Sequence, residues 1–528
     1  MVSAVPRGPG FLGLFLLLLS LCAGCDREPR RPNLLVISID TLRADHLGAY
    51  GYGRDTSPAI DAVARGGAVF LNAWSTTSWT LPSHVSMLTG LPISAHAQCD
   101  FDMEATQAVE SHRPRGRFVS EDLAMAGYDT AGFYSCVYLE PACGFGPGFE
   151  TWERAYHSFK TEPGIAERWK AARESGDEGA MRRIAAERPE LFDLEIPTAP
   201  AAVDGALGWL DRRGKDADPF FLFLHVYDVH TPYTPPAPFD RSFDPDYAGT
   251  IDGRRLGGSD SPVRADMDPR DLAHVIALYD GEIAAVDREL SRLFAELERR
   301  GLSQETLVVI TSDHGEEFFE HGAKLHGGHL YRETLQVPLI VVWPGKIPAG
   351  VRRSECTGLI DLVPTLRAAA GLAPDPILPG IDLSAVAQGK WTGPARTLTA
   401  SLVIRRGVSE PQWLSSIVDN REQTIIHRPG APDWHAERFD LVANPRELSP
   451  PEVIDPEHPD AAALEARLGT VRAHLRGLRE AAPRREVQGL PLEDVERARL
   501  EQLGYGGSAR DGQHGGEALC FDGCIWHP

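Results

Sequence analysis

Asp313 and His314 stand at the end of an apolar, β-branched run, Leu307-Val308-Val309-Ile310-Thr311-Ser312. A run of this kind suits a buried parallel strand, whose end delivers two metal-ligating side chains to the carboxyl edge of a sheet. The N-terminal half repeats the pattern, since Asn33-Leu34-Leu35-Val36-Ile37-Ser38-Ile39 runs into Asp40. Two such strand ends side by side would make a cation site. Each acid alone has another use, as a helix cap or turn former. A hydroxyl-rich stretch, Ser75-Thr76-Thr77-Ser78-Trp79-Thr80-Leu81, breaks into an apolar helical pattern at Pro82. Thr80 is then expected at a helix N-terminus, where unpaired N–H groups and the helix dipole favour a phosphoryl or sulfuryl group. The alternative is that Thr80 only caps the helix.

The elements that must position these residues are legible as an alternation. From Asn33 to about Leu372, apolar strand-like runs alternate with amphipathic stretches, which predicts an α/β domain with a mainly parallel sheet. Strands are expected over 219–225 and 337–343, and a helix over 272–299. The charged, Ala-bearing segment of about 160–195 reads as an inserted helical excursion, either covering the site or forming a solvated surface element. Glu316, Glu317 and Glu320 are expected to form a solvated face. After Gly371, the residues Pro374, Pro376, Pro379 and Gly380 mark a linker. Alternating runs at 413–418 and 423–427 then predict a small antiparallel sheet, followed by a helix over about 460–479. The expected organisation is a leader over 1–25, a catalytic α/β domain over 32–372, a small α+β subdomain over 396–480, and a partly disordered Gly-rich extension over 481–528.

A chain of 528 residues is long enough for a large core, and its 53 Lys+Arg against 75 Asp+Glu give −22, which argues against general nucleic-acid binding. Arg7 precedes the apolar stretch Phe11 to Leu19, then small residues and Cys25, the layout of an export signal. Leu21-Cys22-Ala23-Gly24-Cys25 resembles a bacterial lipobox with Cys25 as the lipidated residue, although Cys22 stands where Leu is usual; ordinary cleavage and an uncleaved anchor are the alternatives. The expected location is extracytoplasmic, periplasmic or cell-surface, on a membrane through a lipid at Cys25. Cys136 with Cys143, and Cys520 with Cys524, are close enough in sequence to close small disulfide loops. The tail pair with His514 and His527 matches no standard zinc spacing.

Taken in order, these stretches resemble the sulfatase family of the alkaline phosphatase superfamily. The resemblance is carried by Ile39-Asp40-Thr41-Leu42-Arg43-Ala44-Asp45-His46, Thr56-Ser57-Pro58, Thr80-Leu81-Pro82-Ser83-His84 and Asp228-Val229-His230-Thr231-Pro232-Tyr233. It continues through Ser312-Asp313-His314-Gly315-Glu316, His326-Gly327-Gly328-His329-Leu330-Tyr331, Asp361-Leu362-Val363-Pro364-Thr365, Asn444-Pro445-Arg446-Glu447 and Leu503-Gly504-Tyr505. It implies an alkaline-phosphatase-like sheet flanked by helices and an anionic ester as substrate.

The resemblance further implies that Asp40, Asp313 and His314, with the Thr80 oxygen, hold one divalent cation. Carboxylates suit calcium, magnesium or manganese, while the imidazole admits manganese or zinc. His230 and His326 would contact the transferred or leaving oxygens, one of them as general acid, with Lys324 as a competing cation there; His84 counts with them among the catalytic residues. Asp228 and His329 rank as supporting residues. Two departures bear on the chemistry. Formylglycine sulfatases make their aldehyde from Cys or Ser in a Cys-x-Pro-Ser-Arg motif, whereas this chain has Thr80 and, in place of Arg, His84. The frequent Asp-Asp pair is here Asp40-Thr41. The first expectation is therefore an exported, metal-dependent hydrolase or transferase in which Thr80 attacks a phosphate, phosphonate or sulfate ester. A sulfuric ester hydrolase working without formylglycine is the second. A non-catalytic protein that keeps the fold for binding is the third.

Overall fold

The computed structural model describes residues 1, 31–98, 115–155, 163–175, 177–187, 197–214, 217–257, 261–404, 412–429 and 431–485. The leader with Cys22 and Cys25, the tail with Cys520 and Cys524, and Leu503-Gly504-Tyr505 lie outside them.

Strand β1 (Asn33–Ile39) is buried at every residue, as its unbroken apolar run requires. Helix α1 (Pro58–Ala64) opens on a proline, and β2 (Ala68–Phe70) follows it. Helix α2 (Thr80–Thr89) starts two residues before the proline, so Pro82 lies within the first turn, where no N–H is missed. Next come α3 (Val119–Met125), β3 (Asp129–Tyr134) and β4 (Thr151–Arg154). The expected helical excursion is a pair, α4 (Pro163–Glu174) and α5 (Glu178–Glu187), joined by the Arg168 guanidinium forked onto the Glu187 carboxylate at 2.7 and 2.8 Å. Helix α6 (Ala199–Asp211) leads into β5 (Phe220–Val226). The 31-residue α7 (Pro269–Arg299) starts earlier than the periodicity alone suggests, because Pro269 sits at its first position and Asp268 caps it by accepting from Arg270 N. Strands β6 (Thr306–Thr311), β7 (Leu339–Val342) and β8 (Val351–Arg353) and helix α8 (Leu362–Ala369) complete the layer.

The sheet order is β8-β2-β7-β6-β1-β5-β3-β4. Every pairing is parallel except those of β7, which runs against both β6 and β2. A parallel return needs a crossover, usually a helix, whereas residues 312–338 between β6 and β7 hold only the short helix Arg332–Leu335 and a two-stranded ribbon, Glu317–Phe318 with Lys324–Leu325. The two-residue period of the strands separates the core. Leu34, Val36, Phe221, Phe223, Leu307 and Val309 pack under α2, α3 and α8. Leu35, Ile37, Leu222, Leu224, Val308 and Ile310 pack under α1, α6 and α7.

The C-terminal sheet is antiparallel in sequence order: β9 (Leu398–Ile404), β10 (Gln412–Val418), β11 (Glu422–His427), β12 (His435–Asp440) and β13 (Glu452–Ile454). Helix α9 (Ala461–Ala481) places Leu464 and Leu468 on Ile417 and Ile426 of this sheet. Cys136 and Cys143 carry buried thiols and do not form the small disulfide loop their spacing allowed. No described helix is long and apolar enough to cross a membrane.

Candidate metal-dependent active site

Strands β1 and β6 are parallel neighbours with Ser38 opposite Thr311, so the residues two further along each chain, Asp40 and Asp313, emerge abreast. Both are fully buried. One Asp313 oxygen, Oδ1, accepts from His314 N at 2.9 Å and from Thr41 N at 3.2 Å. Among the described residues, Oδ2 of Asp313 and both oxygens of Asp40 form no hydrogen bond of full geometry. Thr41, where many sulfatases have a second acid, is in the left-handed region at φ 54° and sends its hydroxyl to Val229 O at 2.8 Å, away from the acids.

His314 donates from Nδ1 to Gly315 O at 3.0 Å; a carbonyl only accepts, so in the neutral ring the lone pair is on Nε2. That Nε2 lies 3.3 Å from Asp313 Oδ2 and 3.3 Å from Thr80 Oγ1. Ligand atoms of Asp40, Asp313 and His314 all fall within 4.8 Å of one another. Thr80 opens α2 and is 2% exposed; its hydroxyl faces His314 and lies close enough to Asp40 to lower that carboxyl's pKa. Burial, and then the charge of Asp313, push Asp40 well above the usual carboxylate range. Burial also opposes charge on Asp313, but His314, His84 and His225 beside it hold it below that range. Two buried acids with three oxygens unsatisfied, an imidazole lone pair and a hydroxyl fit one divalent cation, which would neutralise what the protein leaves charged.

His326 lies with its ring centroid 4.5 Å from that of His314 and 4.9 Å from that of His230. Its Nδ1 donates to Glu316 Oε1 at 2.9 Å, and Tyr233 Oη donates to Glu316 Oε2 at 2.7 Å. Burial raises the Glu316 carboxyl to about 7. His230 donates from Nδ1 to Thr231 O at 2.7 Å and stacks on Tyr227, and burial, then His326, lowers it to about 3. Trp79, next to Thr80 in the chain, lies 5.9 Å from the Tyr138 ring and 6.2 Å from the His326 ring.

The structure gathers Asp40, Thr80, Asp313 and His314, with His326 and His230 next to them. Two other expected residues turn elsewhere. His84 donates from Nδ1 to Thr80 O at 2.8 Å and accepts at Nε2 from Ser38 Oγ at 3.0 Å, which ties the first turn of α2 to β1. Lys324 Nζ donates to Val263 O at 2.6 Å. Asp228 accepts from Thr198 and Ala199 at the start of α6, a helix-capping role. The solvated acidic face is corrected: Glu316 and Glu317 are 0% and 2% exposed, and Glu320 pairs with the buried Arg43 at 2.6 Å. Glu316 and His225 were therefore missed as site residues. His225 has a legible signal, being the one polar residue within β5, on the same face as Phe221 and Phe223.

The protein-family model described as Sulfatase matches residues 32–372. The multifunctional alkaline phosphatase superfamily protein PehA of Trinickia caryophylli is 27% identical over 389 residues, covering 64% of this chain and 73% of that protein. An arylsulfatase of Clostridium perfringens is 24% identical over 365 residues, covering 64% and 74%. The crystal structure of a phosphonate monoester hydrolase of Agrobacterium radiobacter matches with a TM-score of 0.63 at 22% identity, over 85% of this chain and 96% of that one. At that identity the last likeness speaks for the fold, an alkaline-phosphatase-like one.

Proposed function

The chain belongs to the sulfatase family, and from that premise we propose that it is a metal-dependent ester hydrolase in which Thr80 attacks a phosphate, phosphonate or sulfate ester. The observation that carries this is the placement of the Thr80 hydroxyl, buried at the first position of α2 and 3.3 Å from the lone-pair nitrogen of His314, beside Asp40 and Asp313. Asp40, Asp313, His314 and Thr80 would hold the cation, which when bound lowers the hydroxyl pKa and offsets charge on the transferred group. The carbon bearing the Thr80 hydroxyl is secondary, so its oxidation yields a ketone; the formylglycine route has no starting material at this position, and the hydroxyl itself is the nucleophile.

In the first step a bond forms from Thr80 Oγ1 to phosphorus or sulfur as the bond to the leaving oxygen breaks. Thr80 gives up its proton and the departing alkoxide takes one, with His326 and His230 as the groups that exchange protons there. Water then bonds to phosphorus or sulfur, and Thr80 leaves with its proton restored. An acceptor alcohol in place of water would make the same site a transferase. The arylsulfatase relative supports sulfate esters, and PehA, from a superfamily named for phosphatases, supports phosphoryl esters. The apolar run before Cys25 supports an exported chain anchored by a lipid.

Intact-mass measurement with a slow substrate tests the nucleophile: one phosphoryl or sulfuryl group is expected on the native chain and none on Thr80→Ala. An adduct of unchanged size on Thr80→Ala, or turnover undiminished by the substitution, would sink this route. Parallel assays on an aryl sulfate, a phosphate monoester, a phosphonate monoester and a phosphodiester assign the ester class.

A further inference from the structure

Three buried imidazoles flank the two aspartates, and one of them, His225, takes no part in the chemistry above. We infer that His225 is a positioning residue for the cation site, its Nε2–H holding Asp40 Oδ2 so that Oδ1 is the oxygen offered to the cation. The inference rests on the cation site proposed for Asp40, Asp313 and His314.

Strand register puts the residue there. His225 pairs with Ser38 on the neighbouring strand, so it shares a face with Asp40 two residues further on. It ends the row Phe221, Phe223, His225, and is itself 0% exposed. An imidazole at the end of an aromatic row is costly to bury unless its nitrogens find partners.

The proton's place on the ring follows from a backbone group. Ser135 N donates to His225 Nδ1 at 3.3 Å, and an amide N–H cannot accept. Nδ1 therefore carries the lone pair, and the proton of the neutral ring is on Nε2. The other two imidazoles have the opposite arrangement, with Nδ1–H given to the carbonyl of Gly315 by His314 and to that of Thr80 by His84. Among the three, His225 alone turns an N–H from Nε2 toward the acids, which disqualifies it as a ligand and suits it as a donor.

The partner is in place. His225 Nε2 lies 3.3 Å from Asp40 Oδ2, and neither atom has a hydrogen-bond partner among the described residues. The separation is within hydrogen-bond range, and a carboxylate turns readily about χ2, a soft sp³–sp² torsion. The backbone at this residue is also held: Ser135 Oγ donates to His225 O at 2.6 Å and accepts from Tyr227 N at 3.2 Å, so the residue after β3 grips the end of β5. Asp313 follows the same plan, with Oδ1 held by two backbone N–H groups and Oδ2 left over. Each aspartate thus keeps one oxygen for the protein and one for the cation, as outer hydrogen bonds to metal ligands commonly arrange.

Manganese titration of the metal-stripped full chain by calorimetry tests this without any assay of turnover. His225→Ala and His225→Leu, which lack the donor, are expected to weaken Mn²⁺ binding about ten- to a hundredfold. His225→Gln, whose amide N–H reaches about as far as Nε2, is expected to stay within about threefold of native; thermal unfolding of the metal-free variants identifies any that do not fold. If Asp313→Ala abolishes binding while Ala and Leu at 225 bind as tightly as native, the role given to His225 is overturned and the cation site stands. Gln binding as weakly as Ala would overturn it too, since the N–H would then not be what matters. If the native chain binds none of Mn²⁺, Zn²⁺, Mg²⁺ and Ca²⁺, the cation site falls and this inference with it.

Discussion

Glu316 accepts from Tyr233 Oη at one oxygen and from His326 Nδ1 at the other, at 2.7 and 2.9 Å, inside the protein. With Nδ1–H fixed there, proton exchange at the His326 ring is confined to Nε2, the orientation a general acid needs. Replacing the carboxylate by the amide in Glu316→Gln keeps the shape and removes the charge that steadies a protonated ring. The expected loss depends on the leaving group: roughly tenfold or more in kcat for alkyl esters, and little for nitrophenyl esters, which depart unaided. An equal loss for both would mean that Glu316 only supports the fold. Residue type alone did not reveal this role, because Glu316, Glu317 and Glu320 repeat like a solvated acidic face. The burial comes from Tyr233 and Arg43, brought from distant parts of the chain; Arg43 Nη1 donates to Glu316 O at 2.9 Å and to Glu320 Oε1 at 2.6 Å. Asp40, Thr80, Asp313 and His314 were legible because each begins or ends an element whose pattern is local.

The segment between β6 and β7 is where element-level reading stops, since no periodicity marks its two-residue strands or tells β7 to run backwards. It is fastened to the C-terminal region by His321, whose Nδ1 donates to Glu333 Oε1 at 2.6 Å and whose Nε2 lies 3.0 Å from Glu447 O. Tyr331 stacks on the ring at 3.8 Å, His321 N donates to Glu317, and Arg332 N donates to Glu447 Oε2 at 2.9 Å. Burial opposes the charge on His321, but the Glu333 hydrogen bond and charge outweigh it and raise the imidazole from 6.5 to about 9. Burial raises Glu447 and Glu317 from 4.5 to about 7. All three groups bind protons more tightly folded than unfolded, so stability falls as pH rises. The acids lose their part between pH 4.5 and about 7, and His321 loses its part between pH 6.5 and about 9. Thermal unfolding followed from pH 6.5 to 9 should show a decline in the native chain that His321→Asn flattens. A native stability that rises over that window would contradict the clamp.

At the scale of the whole molecule, the change of composition after Gly371 suggests a small unit set apart, yet the core runs through that boundary. Leu402, Leu414, Ile425 and Phe439 of the C-terminal sheet pack in one cluster with Trp74, Leu330, Leu335 and Ile360 of the large domain. The other face of the sheet is covered by α9. A two-faced sheet that borrows one cover from its neighbour cannot bury its apolar residues alone, so the two parts are expected to unfold together. Leu414→Ala tests the coupling. Leu414 is 4% exposed and faces Leu402 across the β9–β10 ladder, so truncation should cost about 2–5 kcal/mol. If the cluster is shared, calorimetry shows one heat-capacity peak, moved to lower temperature. A separate early peak for the C-terminal sheet would mean that it folds by itself. Because Leu330 and Tyr331 of this cluster follow His329 directly and lie a few residues beyond His326, a shared transition would also mean that the C-terminal sheet helps hold the acid–imidazole side of the active site.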